Sequence, residues 1–150
     1  MIRRFIDAGI AVSDLEAAVK RYGAVLGTVP RPLGPADYAY PGLFGARFYL
    51  PNATISLVAS DNPRSTIARF IQRHGEGINH LTLEVTDLEA DVPALAAQGL
   101  RFLTEKPVAF PEGRVIFAHP APLHGVQLAF VQPEPGLDLL RPPAWGPQPS

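Results

Sequence analysis

Residues 78–92 read INHLTLEVTDLEADV, and residues 5–19 read FIDAGIAVSDLEAAV in nearly the same pattern. A shift that superposes Asp7 on His80 also aligns Val12 with Val85, Asp14 with Asp87, Leu15 with Leu88, Glu16 with Glu89, Ala17 with Ala90 and Val19 with Val92. In both copies an alternating apolar segment, typical of a strand, precedes a helix-start signal. The repeat predicts two similar modules that each open with a strand, a sharp turn and a helix.

The helix-start signals share the pattern Ser/Thr-x-x-Glu, as SDLE at residues 13–16 and TDLE at residues 86–89. In this capping box the hydroxyl accepts a hydrogen bond from a free backbone N–H, and the glutamate reaches back to the cap. The pattern predicts one helix from Asp14 to Leu26 and another from Asp87 to Ala97. Each is stopped by a glycine one or two positions beyond its end.

Apolar segments after each helix predict the remaining strands. These segments are residues 46–50 and 54–60 in the first half, and residues 100–104, 114–118 and 126–132 in the second. Residues 65–74 carry an apolar helical face and predict a short connecting helix. The predicted fold class is therefore α+β, with two tandem βαβββ modules.

The predicted domain organisation is a single domain over residues 1–132, followed by a proline-rich tail over residues 133–150. Module one covers about 1–61, the connector 62–77, and module two 78–132. The tail contains the only tryptophan, Trp145. Its apolar residues are expected to pack on the domain, on a partner subunit or at the mouth of a cavity.

The composition excludes several classes of function. A chain of 150 residues with 47% hydrophobic residues can bury a core without disulfides. The net charge of −1 argues against a nucleic-acid partner, and the absence of cysteine excludes thiolate chemistry. No apolar run reaches the ~18 residues of a membrane span, and the N-terminus leads directly into a strand. We therefore expect a cytoplasmic protein without a membrane partner.

Five stretches together resemble the vicinal oxygen chelate superfamily, which includes glyoxalase I, extradiol dioxygenases and bleomycin-resistance proteins. They are GIAVSDLE at residues 9–16, STIARFIQRHGEGINH at 65–80, HLTLEV at 80–85, IFAHP at 116–120 and HGV at 124–126. The connector and the last two stretches look most like methylmalonyl-CoA epimerases. The resemblance implies curled sheets around a cleft, a homodimer, and a divalent metal held by four side chains, one pair from each module. It also implies a carboxylate that moves a proton while the metal polarises the substrate.

The four metal-ligand places of the family fall on His80, Asp7, Ser56 and Ala129. His80 keeps the family residue, and Asp7 is still a reasonable ligand. Serine is a weak ligand, however, and alanine cannot bind a metal. Asp7 and His80 could thus hold a divalent ion such as Co, Ni, Zn or Mn only weakly, or could form a direct ion pair instead of a metal site.

Further candidates follow from the alternation of side chains along strands. Glu84 lies on the same strand face as His80, so both are candidate catalytic residues. Gln127 shares the face of Ala129. The residues expected to contact a ligand are therefore Asp7, Ser56, His80, Gln127 and Ala129. Arg47 is a candidate contact for an anionic ligand at the rim.

Two hypotheses of function remain. The first is a small-molecule-binding protein with a degraded metal site, which works without the metal chemistry of the family and without a cofactor. The alternative is an epimerase or lyase that acts on an acyl thioester or an α-oxo substrate.

Overall fold

The computed structural model describes residues 1–143, which form one eight-stranded sheet and three α-helices. The first module contains β1 (Ile2–Ala11), α1 (Leu15–Leu26), β2 (Arg31–Leu33), β3 (Leu43–Tyr49) and β4 (Thr54–Ser60). The connector is α2 (Thr66–His74). The second module contains β5 (Gly77–Val85), α3 (Leu88–Ala97), β6 (Val108–Phe110), β7 (Gly113–Phe117) and β8 (Leu128–Pro133). The predicted fold class of two βαβββ modules is confirmed.

The strand order β2-β3-β4-β1-β5-β8-β7-β6 places the first and last strands of both modules at the centre of the sheet. β1 and β5 pair antiparallel, and each pairs parallel with the last strand of its own module. The register places Gly9 beside both Ser56 on β4 and His80 on β5. Residues that are distant in the chain therefore meet at the middle of one curled sheet.

The predicted capping boxes are wrong by one residue. Asp14 and Asp87 are the N-caps, and their carboxylates accept hydrogen bonds from the backbone N–H groups of Ala17 at 3.1 Å and Ala90 at 3.3 Å. A carboxylate caps as well as a hydroxyl does, and its charge also suits the positive end of the helix dipole. The helices therefore begin at Leu15 and Leu88.

The sheet edges differ most from the prediction. Residues 100–104 form no strand within the described chain, because only an isolated bridge joins Phe102 to Ala118. The unpredicted strands β2 and β6 are the two edges, and each has only three residues. Pro32 lies within β2, and proline interrupts strand patterns but is tolerated at an edge, where one side of the backbone needs no donor.

The two faces of the sheet have different roles. α1 and α3 pack on one face, over buried side chains that include Phe48, Leu57, Ile116 and Phe130. The other face lines a cleft, and Leu139 from the segment after β8 is buried against it beside Val131. Trp145 lies outside the described residues. None of the helices in residues 1–143 is both long and apolar enough to cross a membrane.

Candidate functional site

The cleft between the two modules has a volume of about 930 Å³. It is lined by all five residues predicted to bind a ligand, namely Asp7, Ser56, His80, Gln127 and Ala129. They come together because the central strands of the sheet are the first and last strands of each module. The cleft is therefore the candidate functional site.

Asp7 is buried in the floor of the cleft and is 5% exposed. Its Oδ1 accepts hydrogen bonds from Thr54 Oγ1 at 2.6 Å and from Ser56 Oγ at 2.9 Å. These two hydroxyls compensate the cost of burying the carboxylate. The predicted direct ion pair between Asp7 and His80 is absent from the described residues, and Asp7 is held by its neighbours on β4 instead.

Arg47 extends this network across the cleft. Its Nε donates to Ser56 Oγ at 3.1 Å, and its Nη1 donates to Glu112 Oε1 at 2.7 Å. Burial alone would lower the pKa of Arg47, but the carboxylates of Glu112 and Asp7 raise it above its ordinary value. The Arg47 guanidinium is therefore a permanent cation beside Ser56, which occupies one of the family's metal-ligand places. Through Glu112, Arg47 also joins module one to module two.

His80 is enclosed on three sides. Its Nδ1 lies 2.9 Å from Asn79 Oδ1, and its ring meets Phe117 edge-on with the ring centroids 5.6 Å apart. Burial lowers the pKa of His80 and outweighs the opposite effect of Asp7, so the imidazole is neutral near pH 7. An Oδ1 acceptor at this position favours the tautomer with the proton on Nδ1, which leaves the Nε2 lone pair free.

The third side of His80 is the bare backbone of Gly9. A Cβ at Gly9 would lie 2.2 Å from His80 Cε1, whereas a Cβ at Gly34 would meet nothing closer than 4.0 Å. We expect Gly9→Ala to displace the ring and to lower the free energy of unfolding by about 1–3 kcal/mol, with Gly34→Ala as the matched control. Urea denaturation and the histidine NMR signals would measure both effects. An undisturbed His80 signal in Gly9→Ala would contradict the packing described.

Tyr38 places a second unusual group against the cleft floor. Within residues 1–143, its hydroxyl is the only buried side-chain polar atom without a hydrogen-bond partner. Burial raises the pKa of Tyr38, so the hydroxyl stays protonated and is available as a donor. Gly45 makes room for it, because a Cβ there would lie 2.3 Å from the hydroxyl oxygen.

The two halves of the cleft have opposite chemistry. In module one, Arg47 on β3 faces Ser56 on β4. At the corresponding place in module two, Phe117 on β7 faces Ala129 on β8. The apolar half continues with Val115, Val131, Phe110 and Leu139. The cleft can thus hold a polar or charged group on one side and a hydrocarbon group on the other.

The residues present do not fit a tightly held divalent metal. Within residues 1–143, no group of three or more His, Asp or Glu side chains could hold an ion. Ala129 supplies no donor, and Ser56 already bonds Asp7 and the Arg47 cation. The structure instead combines a neutral imidazole, a cation and hydroxyl donors at the four family places and beside them.

The structure does not bring Glu84 to the cleft, although it shares a strand face with His80. Its carboxylate is 1% exposed and pairs with Arg3 at 2.8 Å and with Arg4 at 3.1 Å. Arg4 also bonds Asp138 of the segment after β8 at 2.6 Å. Arg4 therefore connects the segment after β8 to Glu84 on β5. Glu84 itself does not line the cleft.

Three cleft residues have no signal in the sequence pattern. Glu112 lies in the short turn between β6 and β7, Tyr38 follows a single helical turn, and Asn79 simply precedes His80. Only the curl of the sheet brings Glu112 to Arg47, which is 65 positions away. The glycine at position 45, opposite a buried strand, is the one sequence feature that hints at close packing there.

The tandem modules and the cleft between their strands define a glyoxalase-like protein. The chain matches the Glyoxalase/Bleomycin resistance protein/Dioxygenase superfamily over residues 7–118, and it belongs to this superfamily.

Its relatives include the ethylmalonyl-CoA/methylmalonyl-CoA epimerase of Cereibacter sphaeroides, with 35% identity over 129 residues, 83% of this chain and 94% of that protein. The crystal structure of methylmalonyl-CoA epimerase from Mycobacterium tuberculosis superposes with a TM-score of 0.78 and 31% identity, over 89% of this chain and 90% of that chain. An epimerase structure in complex with methylmalonyl-CoA and NH4+ has a TM-score of 0.79 and 25% identity, over 90% and 97% of the two chains. The resemblance to methylmalonyl-CoA epimerases is confirmed.

Proposed function

We propose that this protein binds the CoA thioester of a 2-carboxy acid in the cleft and exchanges the proton on the carbon between the two carbonyl groups. The observation that carries the proposal is that a neutral His80 and the Arg47 cation line one cleft, in a fold similar to that of the epimerases. The catalytic role moves from the predicted Glu84 to groups that line the cleft.

The chemistry needs a base and a way to stabilise negative charge. Removal of the α-proton leaves an enolate whose charge spreads onto the thioester oxygen, and return of a proton to the opposite face inverts the carbon. His80 Nε2 is the proposed acceptor of that proton, and water from solvent returns a proton to the opposite face. Glu112 pairs with Arg47 and holds the guanidinium in place. The Arg47 guanidinium supplies a donor for the developing charge. No step requires a metal, although a weakly bound ion at Asp7 and His80 stays a prediction.

The test is deuterium exchange into methylmalonyl-CoA in D2O, followed by mass spectrometry. We expect exchange above the protein-free rate that survives treatment with EDTA, because the cleft residues carry the reaction. Exchange that is lost with EDTA and restored by cobalt would show that a metal is required. If no exchange occurs with EDTA or with added cobalt, the protein does not exchange the α-proton of methylmalonyl-CoA.

A second candidate, binding without turnover, is favoured by one observation. Ala129 and Phe117 form an apolar wall in module two, at the place where Ser56 and Arg47 lie in module one. This wall can hold an acyl chain but cannot move a proton. Methylmalonyl-CoA that binds by calorimetry but does not exchange deuterium would select this function. The homodimer expected from the resemblance and the cytoplasmic location also stay predictions.

A further inference from the structure

The exposed residues that line the cleft are concentrated on and after α2. This mouth of the cleft is formed by Arg69, Arg73, His74, Ile78 and Leu103. Ile78 is 62% exposed and Leu103 is 48% exposed, so apolar surface faces solvent there. The mouth therefore combines charge, aromatic surface and apolar surface on the way into the site.

Arg69 and Arg73 differ from the other arginines. Six arginines of residues 1–143 form ion pairs, namely Arg3, Arg4, Arg31, Arg47, Arg114 and Arg141. Among those without an ion pair in the described chain, only Arg69 and Arg73 line the cleft. They lie one helical turn apart and therefore project from the same side of α2. A guanidinium is the side chain best suited to bind phosphate through paired hydrogen bonds.

The remaining charged groups at the mouth leave these two arginines available. Glu76 is the nearest acid in the chain, and its carboxylate accepts a hydrogen bond from the backbone N–H of Ser13 at 2.9 Å. The rings of Phe70 and His74 pack against each other at an angle of 40°, with centroids 5.1 Å apart, and both residues line the cleft. Aromatic surface of this kind binds the flat face of a nucleobase.

We propose that the α2 face of Arg69, Phe70, Arg73 and His74 is a nucleotide site that binds the phosphates and the adenine of the CoA part of the ligand. The site rests on the proposed function, because it assumes a ligand whose acyl end enters the cleft. The acyl group then lies among the floor residues, while the phosphates stay at the mouth beside the two guanidinium groups.

The test compares methylmalonyl-CoA with methylmalonyl-pantetheine, which lacks the nucleotide and its phosphates, by isothermal titration calorimetry. We expect the CoA ester to bind about tenfold more tightly at low salt, since two exposed charge contacts are each worth a modest amount. The difference should shrink at high salt because the contacts are exposed. In Arg69→Gln/Arg73→Gln the two esters should bind within about twofold of each other.

The matched control is Arg21→Gln/Arg64→Gln, which removes the same charge from two arginines that do not line the cleft. It should keep the preference for the CoA ester. Equal binding of both esters to the unchanged protein, or an unchanged preference in the Arg69/Arg73 variant, would overturn the nucleotide site. A preference that is found without any deuterium exchange would support the site and contradict the proposed function. Deuterium exchange without a preference for the CoA ester would support the proposed function and contradict the nucleotide site. Binding of neither ester would contradict both proposals.

Discussion

Replacing Arg47 with methionine is expected to lower the free energy of unfolding by about 3 kcal/mol, because it leaves the Glu112 carboxylate without its partner in a mostly buried position. The same substitution removes a donor from the cleft, so deuterium exchange should fall by about 100-fold or more. Urea denaturation measures the first effect, and exchange into methylmalonyl-CoA at low temperature, where the variant stays folded, measures the second.

Two further variants separate these effects. Arg47→Met/Glu112→Leu replaces the pair with apolar groups and should recover most of the stability but none of the exchange. Arg114→Met, which breaks the exposed pair with Glu89, should cost less than about 1 kcal/mol and leave exchange unchanged. An Arg47→Met protein that exchanges at the normal rate would show that Arg47 is a structural tie only.

Replacing His80 with glutamine is expected to reduce deuterium exchange by 10²–10⁴-fold, roughly the contribution of a general base. Glutamine keeps much of the ring's volume and hydrogen-bonding capacity, so affinity for methylmalonyl-CoA should change little. Exchange and calorimetric binding of the same variant distinguish the two. His124→Asn is the control, because His124 is an exposed histidine with a φ of 60° that asparagine tolerates. Exchange that persists in His80→Gln would assign the base elsewhere, with Glu112 as the next candidate.

The pH dependence follows from the lowered pKa of His80. In the unfolded chain the ring takes up a proton near its ordinary pKa of about 6.5, whereas the buried ring resists protonation until lower pH. Stability should therefore decrease as the pH falls below about 6.5, and His80→Gln should lose that part of the decrease. Urea denaturation on both sides of this pH would measure it, and identical pH profiles for the two proteins would contradict the burial of His80.

The repeat that begins at Phe5 and Ile78 was sufficient to predict the architecture. Alternation and helix-start signals depend on neighbours close in the chain, so the two modules, the connector and the three helices could be recognised from local pattern. The correspondence of Asp7 to His80 and of Ser56 to Ala129 also follows from the repeat. Two similar modules place corresponding residues at corresponding points of their first and last strands. All four of these residues line one cleft.

The chemistry of the cleft was decided by the tertiary structure. Alternation placed Glu84 on the face of His80, but Arg3 and Arg4 from the partner strand hold its carboxylate away from the cleft. Glu112 came to Arg47 only through the curl of the sheet, and the hydroxyl of Tyr38 became a buried donor only because Gly45 lies beneath it. The sequence by itself determined which positions face the site, since strand periodicity is local. Which charges meet there depends on contacts between distant segments, and only the folded chain sets those.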